Sequence, residues 1–292
     1  MTAQTVHIVT DSTSDIPRAL VDDLNITVVP LTISFGHESF RDGLDLTADE
    51  FYARLRETKQ LPKTAQPPPA LFEHAYQHLA SRGDVVSIHL SHKFSGTVDT
   101  ARAAAREITG SKVLVVDTGS ASLAMGMCVL AAARLARAGA TAEECAAAAE
   151  SVARRLHIGV AFETLEYLRR GGRIGRAQAF LGGLLRLKPI LTIKDGETYP
   201  VTRVRSRAKA MDELFALIDQ PGGVTEVGIL HTTTPEDAAN LADRVHAALP
   251  DVTVHTGRFG PSLGVHGGPG MLGFAVVAAT EAEASSKSSV DS

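Results

Sequence analysis

Cysteine is nearly missing from this sequence. Only Cys128 and Cys145 occur, both in alanine-rich stretches that read as helix. Two such residues build no disulfide framework and suggest no metal or redox site, so the chain reads as one for a reducing compartment. Long apolar runs are also lacking, and none suffices to span a bilayer. No signal-peptide pattern precedes the first strand-like stretch, Val6-His7-Ile8-Val9. These features together predict a soluble, cytoplasmic protein. An excess of basic charge is absent as well: 29 Lys and Arg against 33 Asp and Glu leave a net charge of −4, which argues against a general nucleic-acid binder. No Gly-x-Gly-x-x-Gly follows the first strand, and no Walker A sequence occurs anywhere, so the common nucleotide fingerprints are excluded.

What is present is enough for a full core. At 292 residues, 44% hydrophobic and 21% charged, the composition is that of an ordinary globular protein with room for two domains. Up to about Arg155, apolar β-branched stretches alternate with alanine-rich amphipathic ones. That alternation predicts an α/β domain over 1–155 with a doubly wound parallel sheet. Capping boxes at Thr47/Glu50 and Thr141/Glu144 mark two helix starts, and Asp15 or Ser14 can cap a helix carrying Pro17 in its first turn. From Leu156 the rhythm changes. Asp195-Gly196 between two strand-like runs is a strong hairpin signal, so a second α/β domain over 156–280 is expected to contain a mixed or antiparallel sheet. The residues 281–292 are small and polar and read as a disordered tail.

Chemistry-bearing residues gather where strands give way to helices. The stretch His89-Leu90-Ser91-His92-Lys93-Phe94-Ser95-Gly96-Thr97 joins a buried strand to a helix. Such a junction offers hydroxyls and free backbone N–H groups at a helix N-terminus, a place that favours an anion, although Ser95 also suits simple capping. Thr10-Asp11-Ser12-Thr13-Ser14-Asp15 puts six polar residues at the end of a strand, more than capping requires. Thr27–Phe35 reads as a strand around Pro30. Lys59–Pro69, with Thr64-Ala65-Gln66 and three prolines, reads as a stiff linker. His74 and His78 stand at i, i+4, but no third ligand completes a metal site, and both read as surface residues. Gly260-Pro261-Ser262-Leu263-Gly264 matches the nucleophile-elbow pattern, with His266-Gly267-Gly268 resembling an oxyanion loop. Glycines, a proline and a strand are expected after that serine rather than a helix, and the acid and histidine come in the wrong order, so a hydrolase is rejected. Arg169, Arg170, Arg173 and Arg176 could meet a phosphate or carboxylate. Donors without a nucleophile remain: Thr64, Ser95, the Gly96 backbone, Arg173 and His266. They suit binding of an anionic head better than turnover, and no catalytic residue and no metal ligand are predicted.

Six motifs in order, namely Thr10–Asp15, Thr64-Ala65-Gln66-Pro67, Ser95-Gly96-Thr97, Leu168–Ile174, Lys188-Pro189-Ile190-Leu191 and His266-Gly267-Gly268-Pro269-Gly270, resemble the DegV family up to about Ala279. Proteins of this family bind fatty acids and are called FakB where they work with a fatty acid kinase. The resemblance implies a two-domain α/β protein holding a long-chain fatty acid, its only ligand, with no cofactor. The carboxylate would be held by Thr64, Ser95, Gly96 and His266, with Arg173 as a further contact and Asp11, Ser12, Thr97 and Gln66 supporting them. It also implies a partner, a dihydroxyacetone-kinase-like fatty acid kinase that makes acyl phosphate, so that this chain carries the acid without catalysing. The sequence departs from the family pattern at Ala65 and Thr118, where serine is usual, and at Phe94, where leucine is common. Two rival functions stand beside this reading. One is an enzyme acting on a small phosphorylated or carboxylated metabolite. The other, disfavoured by the net charge, is a nucleotide- or DNA-linked regulator reading through Arg203, Arg205, Arg207 and Lys209.

Overall fold

The computed structural model describes residues 5–58, 60–182, 187–281 and 283. It divides into two compact units, the first comprising Met1–Arg154, Lys194–Glu197 and Phe259–His266, the second Arg155–Ile193, Thr198–Arg258 and Gly267–Ser292. The first unit therefore includes two short returns of the chain besides its long N-terminal part.

In the first unit the order is β1 (Val6–Asp11), a 3-10 turn (Ser12–Ser14), α1 (Arg18–Asp23), β2 (Thr27–Val29), β3 (Thr32–Phe35), β4 (Glu38–Arg41), α2 (Ala48–Glu57), β5 (Lys63–Ala65), α3 (Pro69–Ala80), β6 (Asp84–His89), α4 (Thr97–Arg106), β7 (Val113–Asp117), α5 (Ser122–Arg137) and α6 (Ala142–Arg154). The sheet β2-β1-β6-β7 is parallel throughout. Every residue of β6 is buried, as expected of a central strand covered on both faces. Val9 and Val85 pack with Phe72 and Tyr76 of α3 and with Ala101 and Ala104 of α4. Alternate strand residues such as Val86 and Ile88 point to the other face, and α5 packs on β1 and β6. Both predicted capping boxes form, Thr47 N–H donating to Glu50 at 2.8 Å and Thr141 N–H to Glu144 at 2.8 Å.

The second unit contains β8 (Leu156–Ala161), α7 (Glu166–Arg170), a 3-10 turn (Gly175–Phe180), β9 (Lys188–Lys194), β10 (Glu197–Val204), α8 (Arg207–Ile218), β11 (Val224–His231), α9 (Pro235–Ala248), β12 (Thr253–Arg258) and β13 (Leu272–Ala278), with α10 (Pro261–Gly267) between the last two strands. All of α10 except its final glycine belongs to the first unit, as do the turn residues between β9 and β10. The sheet β10-β9-β8-β13-β11-β12 is mixed: β11 runs parallel to β12, while β13 is antiparallel to both β11 and β8. Its core joins Leu214 and Ile218 of α8 and Leu241 and Val245 of α9 to Val227, Ile229 and Phe274 of the sheet. The hairpin signal is realised, with Asp195 at φ 51° and Gly196 at φ 78°, the two left-handed residues that a tight β-turn of the primed type requires.

Several sequence expectations are corrected. Pro30 divides Thr27–Phe35 into two strands that enter different sheets, β2 in the parallel one and β3 in a small antiparallel sheet β4-β3-β5. Proline cannot donate to a ladder, which is why the run breaks there. The stiff linker is partly a strand: Thr64 pairs with Ile33, while Lys59 lies outside the described residues. Helix α1 has Pro17 at its N-cap without a side-chain cap, so neither Ser14 nor Asp15 serves that role. The helical α10 stands where glycines, a proline and a strand were expected after Ser262. The predicted tail falls outside the described residues apart from Glu281 and Glu283. Among the described residues no helix is long and apolar enough to cross a membrane.

Candidate functional site

Parallel strands β1 and β6 are neighbours, and both end in an ionisable residue, Asp11 and His89. The His89 and Asp11 side chains are wholly buried, with Nδ1 2.8 Å from Asp11 Oδ2. On the other side of the ring, Nε2 lies 2.7 Å from Ser87 Oγ, which accepts a hydrogen bond from Tyr76 OH at 2.8 Å. The second Asp11 oxygen accepts from the Thr13 N–H at 3.0 Å and from the Thr13 hydroxyl. Phe72 meets the imidazole edge-on at 5.1 Å. Serine, histidine and aspartate thus stand in the order of a hydrolase triad. The hydroxyl is buried and already engaged by a tyrosine, so no substrate reaches it, and the row instead ties α3 to two strands.

The loop from β6 to α4 follows directly. Ser91 Oγ donates to Gly196 O at 2.9 Å, fixing the start of the loop within the first unit. Ser95 Oγ lies 2.9 Å from the Thr97 hydroxyl and accepts from the Thr97 N–H at 3.3 Å. The residue at the cap position of α4 is Gly96, which offers no side chain. Gln66, just beyond β5, closes over this glycine: a Cβ there would collide with the Gln66 amide oxygen, and Gln66 Nε2 donates to Thr100 Oγ1 at 2.7 Å. A side chain at Gly96 would push the Gln66 amide aside from this position. Two residues earlier, Thr64 Oγ1 lies 2.9 Å from His266 Nε2, joining β5 to α10. Ser95, Gly96, Thr64 and His266 are all half-buried.

The structure therefore brings Thr64 and His266 into direct contact and sets Gln66 against Gly96, with Ser95 and Thr97 in the same loop. Asp11 and Ser12 lie elsewhere in the unit. Asp11 belongs to the buried row, while Ser12 Oγ donates to Asp42 at 3.0 Å and accepts from Leu31 N–H at 3.0 Å. Arg173 belongs to the second unit, in the turn after α7, where its guanidinium donates to Gly171 O at 2.7 Å. His74 and His78 are exposed, and among the described residues no group of three or more His, Cys, Asp or Glu is arranged to hold a metal. Arg207 is engaged by Asp237 at 2.7 Å and by Gly270 O and Thr234, while Arg203 lies exposed over the Phe180 ring.

Ser262 does sit in a turn that opens a helix, unlike the sequence expectation, but its side chain is buried beside Asp42 rather than presented to a histidine. The elbow reading fails on burial and partners.

Three ionisable residues of this region went unselected in the sequence: His89, Asp15 and Asp42. Burial pushes the Asp42 carboxyl up to about 6, opposed by the neighbouring Ser262 and a hydrogen bond from Ser12 and aided by the nearby Asp11. Burial likewise raises Asp15 well above the ordinary carboxylate range, against hydrogen bonds from Ser122 and the Gly260 N–H, with Asp42 and Asp11 nearby. The spacing of Ser87 and His89 beside Val85, Val86 and Ile88 was an available signal, since i and i+2 share a face. Asp42 carried none, standing in an ordinary Arg-Asp-Gly turn.

Comparison with known proteins gives a consistent result. The model of a family described as "uncharacterised protein, DegV family" matches residues 5–279. A DegV domain-containing protein of Streptomyces coelicolor is 39% identical over 276 residues, covering 93% of this chain and 98% of that protein. Among solved structures, one concerned with fatty acid binding by a DegV family protein from Thermus thermophilus matches with a TM-score of 0.87 at 37% identity, covering 94% of this chain and 100% of that one. DegV of Bacillus subtilis, described as a fatty acid binding protein, matches with a TM-score of 0.88 at 32% identity, again over 94% and 100%.

Proposed function

Because this chain belongs to the DegV family, we propose that it binds a long-chain fatty acid and holds the carboxylate with Thr64, Ser95, the Gly96 N–H and His266. The observation that carries this reading is the Thr64–His266 pair, 2.9 Å apart, in the same unit as the Ser95-Gly96 loop. Relatives described as fatty acid binding support the ligand class. Arg173 does not enter the proposal.

The energetics favour such a ligand. Each buried CH₂ gains about 0.8 kcal/mol, so a long acyl chain brings ample driving force. The head is the difficulty, because burying an unpaired carboxylate costs far more than one hydrogen bond returns. Two hydroxyls, a backbone N–H at the start of α4 and an imidazole offset that cost. The α4 dipole adds to it, its N-terminus favouring negative charge. A ligand held this way dissociates slowly and needs a partner to use it. In this reading the chain is a cytoplasmic carrier, not a catalyst, and it presents the acid to a dihydroxyacetone-kinase-like fatty acid kinase that forms acyl phosphate.

Mass spectrometry of the purified protein, native and then after extraction in denaturing solvent, tests the ligand class. A stoichiometric long-chain acid is expected on denaturation, and Ser95→Ala and His266→Ala are expected to retain about tenfold less after washing. Protein that stays free of lipid after incubation with fatty acids overturns the proposal and moves the polar-metabolite enzyme into its place.

A further inference from the structure

The segment Phe259–His266 belongs to the first unit although the chain before and after it belongs to the second. So short a return needs anchors, and the structure supplies them from four elements. Asp15 Oδ1 accepts the Gly260 N–H at 2.9 Å. Asp42, which accepts from Ser12, has the Ser262 backbone and side chain against it. Tyr52 OH donates to Phe259 O at 3.1 Å. Gly264 leaves room for α2, since a Cβ there would stand 2.6 Å from both Phe51 Cε1 and Tyr52 OH. His266 then closes the segment on Thr64.

Two of these anchors are held at a cost. Asp15, at φ 50°, and Ser122, at φ 60°, are both non-glycine residues in the left-handed region, and they are bonded to each other through the Ser122 hydroxyl. Burial also opposes ionisation of both carboxyls. Backbone strain and unfavourably buried acids are retained mainly where the arrangement serves a site, because apolar or amide side chains would hold a loop at lower cost. Among the described residues the His89 row is completed by Asp11, without Asp15 or Asp42.

We propose that Asp15 and Asp42 are positioning residues for His266: Asp15 moors Phe259–His266 through the Gly260 N–H, Asp42 packs beside Ser262, and together they fix where the imidazole stands relative to Thr64. The inference rests on the fatty-acid reading for its purpose, but the mooring itself does not require it. Asp15 holds the start of the segment, and Asp42 stands beside its first helical turn, so both bear on where α10 carries His266.

The test is to follow the His266 imidazole nitrogens by NMR in ligand-free protein and the retention of radiolabelled palmitate in parallel. The variants are Asp15→Ala, Asp42→Ala and their asparagine counterparts, with Ser262→Ala as a milder change on the segment itself. Both alanine variants are expected to shift the His266 resonances and weaken retention about tenfold, and the asparagine variants, which keep an acceptor oxygen, to restore most of both. Combining Asp15→Ala with His266→Ala is expected to add little beyond His266→Ala alone. Should the alanine variants fail to fold, a shifted His266 signal in Ser262→Ala supports the mooring and an unmoved one overturns it. Unmoved His266 resonances in folded alanine variants, or fully additive losses, also overturn it. A wild type that takes up no palmitate removes the fatty-acid reading, while the resonance shifts still decide the mooring.

Discussion

The two units bury very different side chains. Among the described residues, the first unit buries Asp11, Asp42, Asp84 and His89 together with a series of serines and threonines, whereas the buried polar side chains of the second are Thr198 and Thr232. The second core is aliphatic, with α8 and α9 covering the mixed sheet. One unit therefore spends stability on polar arrangements while the other accumulates it. Buried ionisable groups, not apolar area, are what set the first unit apart from the second.

That contrast can be broken most severely at Asp11. Its removal leaves His89 buried without its carboxylate partner and frees two Thr13 donors, so Asp11→Ala is expected to lose about 3–5 kcal/mol in chemical denaturation. A loss below about 1 kcal/mol would mean that the row contributes no more than an ordinary hydrogen bond. Next comes pH. Asp42, with Ser12, Ser262 and Asp11 facing it, holds its proton up to about 6 in the folded state against 3.8 ordinarily. A raised carboxyl binds its proton more tightly folded than unfolded, so its effect favours folding at low pH and fades as pH rises from about 4 through about 6. The stability of Asp42→Asn relative to wild type is therefore expected to increase by about 2 kcal/mol between pH 4 and 7, measured as the difference between two denaturation series. Asp15 acts in the same direction. A flat difference curve would place the proton elsewhere. The smallest effect belongs to the second unit: Ile229→Val is expected to cost about 1 kcal/mol and to leave both palmitate retention and the pH profile unchanged.

Much of the fold was legible because it rests on local signals. The capping boxes, the Asp195-Gly196 turn and the alternation of strands and helices up to Arg154 depend on neighbouring residues, and each formed where the sequence pattern placed it. The misses have a common cause, which is that they depend on partners far away in the chain. Lys63–Ala65 is a strand only because β3 is there to pair with it, and glycine-rich Pro261–Gly267 is a helix despite poor propensity, with Phe259 and Gly260 just before it bonded to Tyr52 and Asp15. The site divides in the same way. Ser95, Gly96, Thr64 and His266 were chosen from resemblance and from their places at loops, while their mutual geometry could not be read from spacing. Asp15 lay within a noticed polar run, but its partners Ser122 and Gly260 stand 107 and 245 positions away. The division into units was least local of all, since eight residues near the C-terminal end, Phe259–His266, return to the first unit.

The bond between Thr64 and His266 spans 202 positions, so its two halves leave the ribosome far apart in time. Everything needed for the parallel sheet and its helices has been synthesised by Arg154, and a nascent chain can fold that much early, since domains generally fold as units during synthesis. The imidazole arrives only after the whole mixed sheet save its last-made strand has been translated. A chain interrupted between Arg154 and His266 carries the residues of the N-terminal sheet with half of the pair, and long-range contacts of this kind are the slowest to close. The pair therefore forms only in a chain that has been made at least as far as His266.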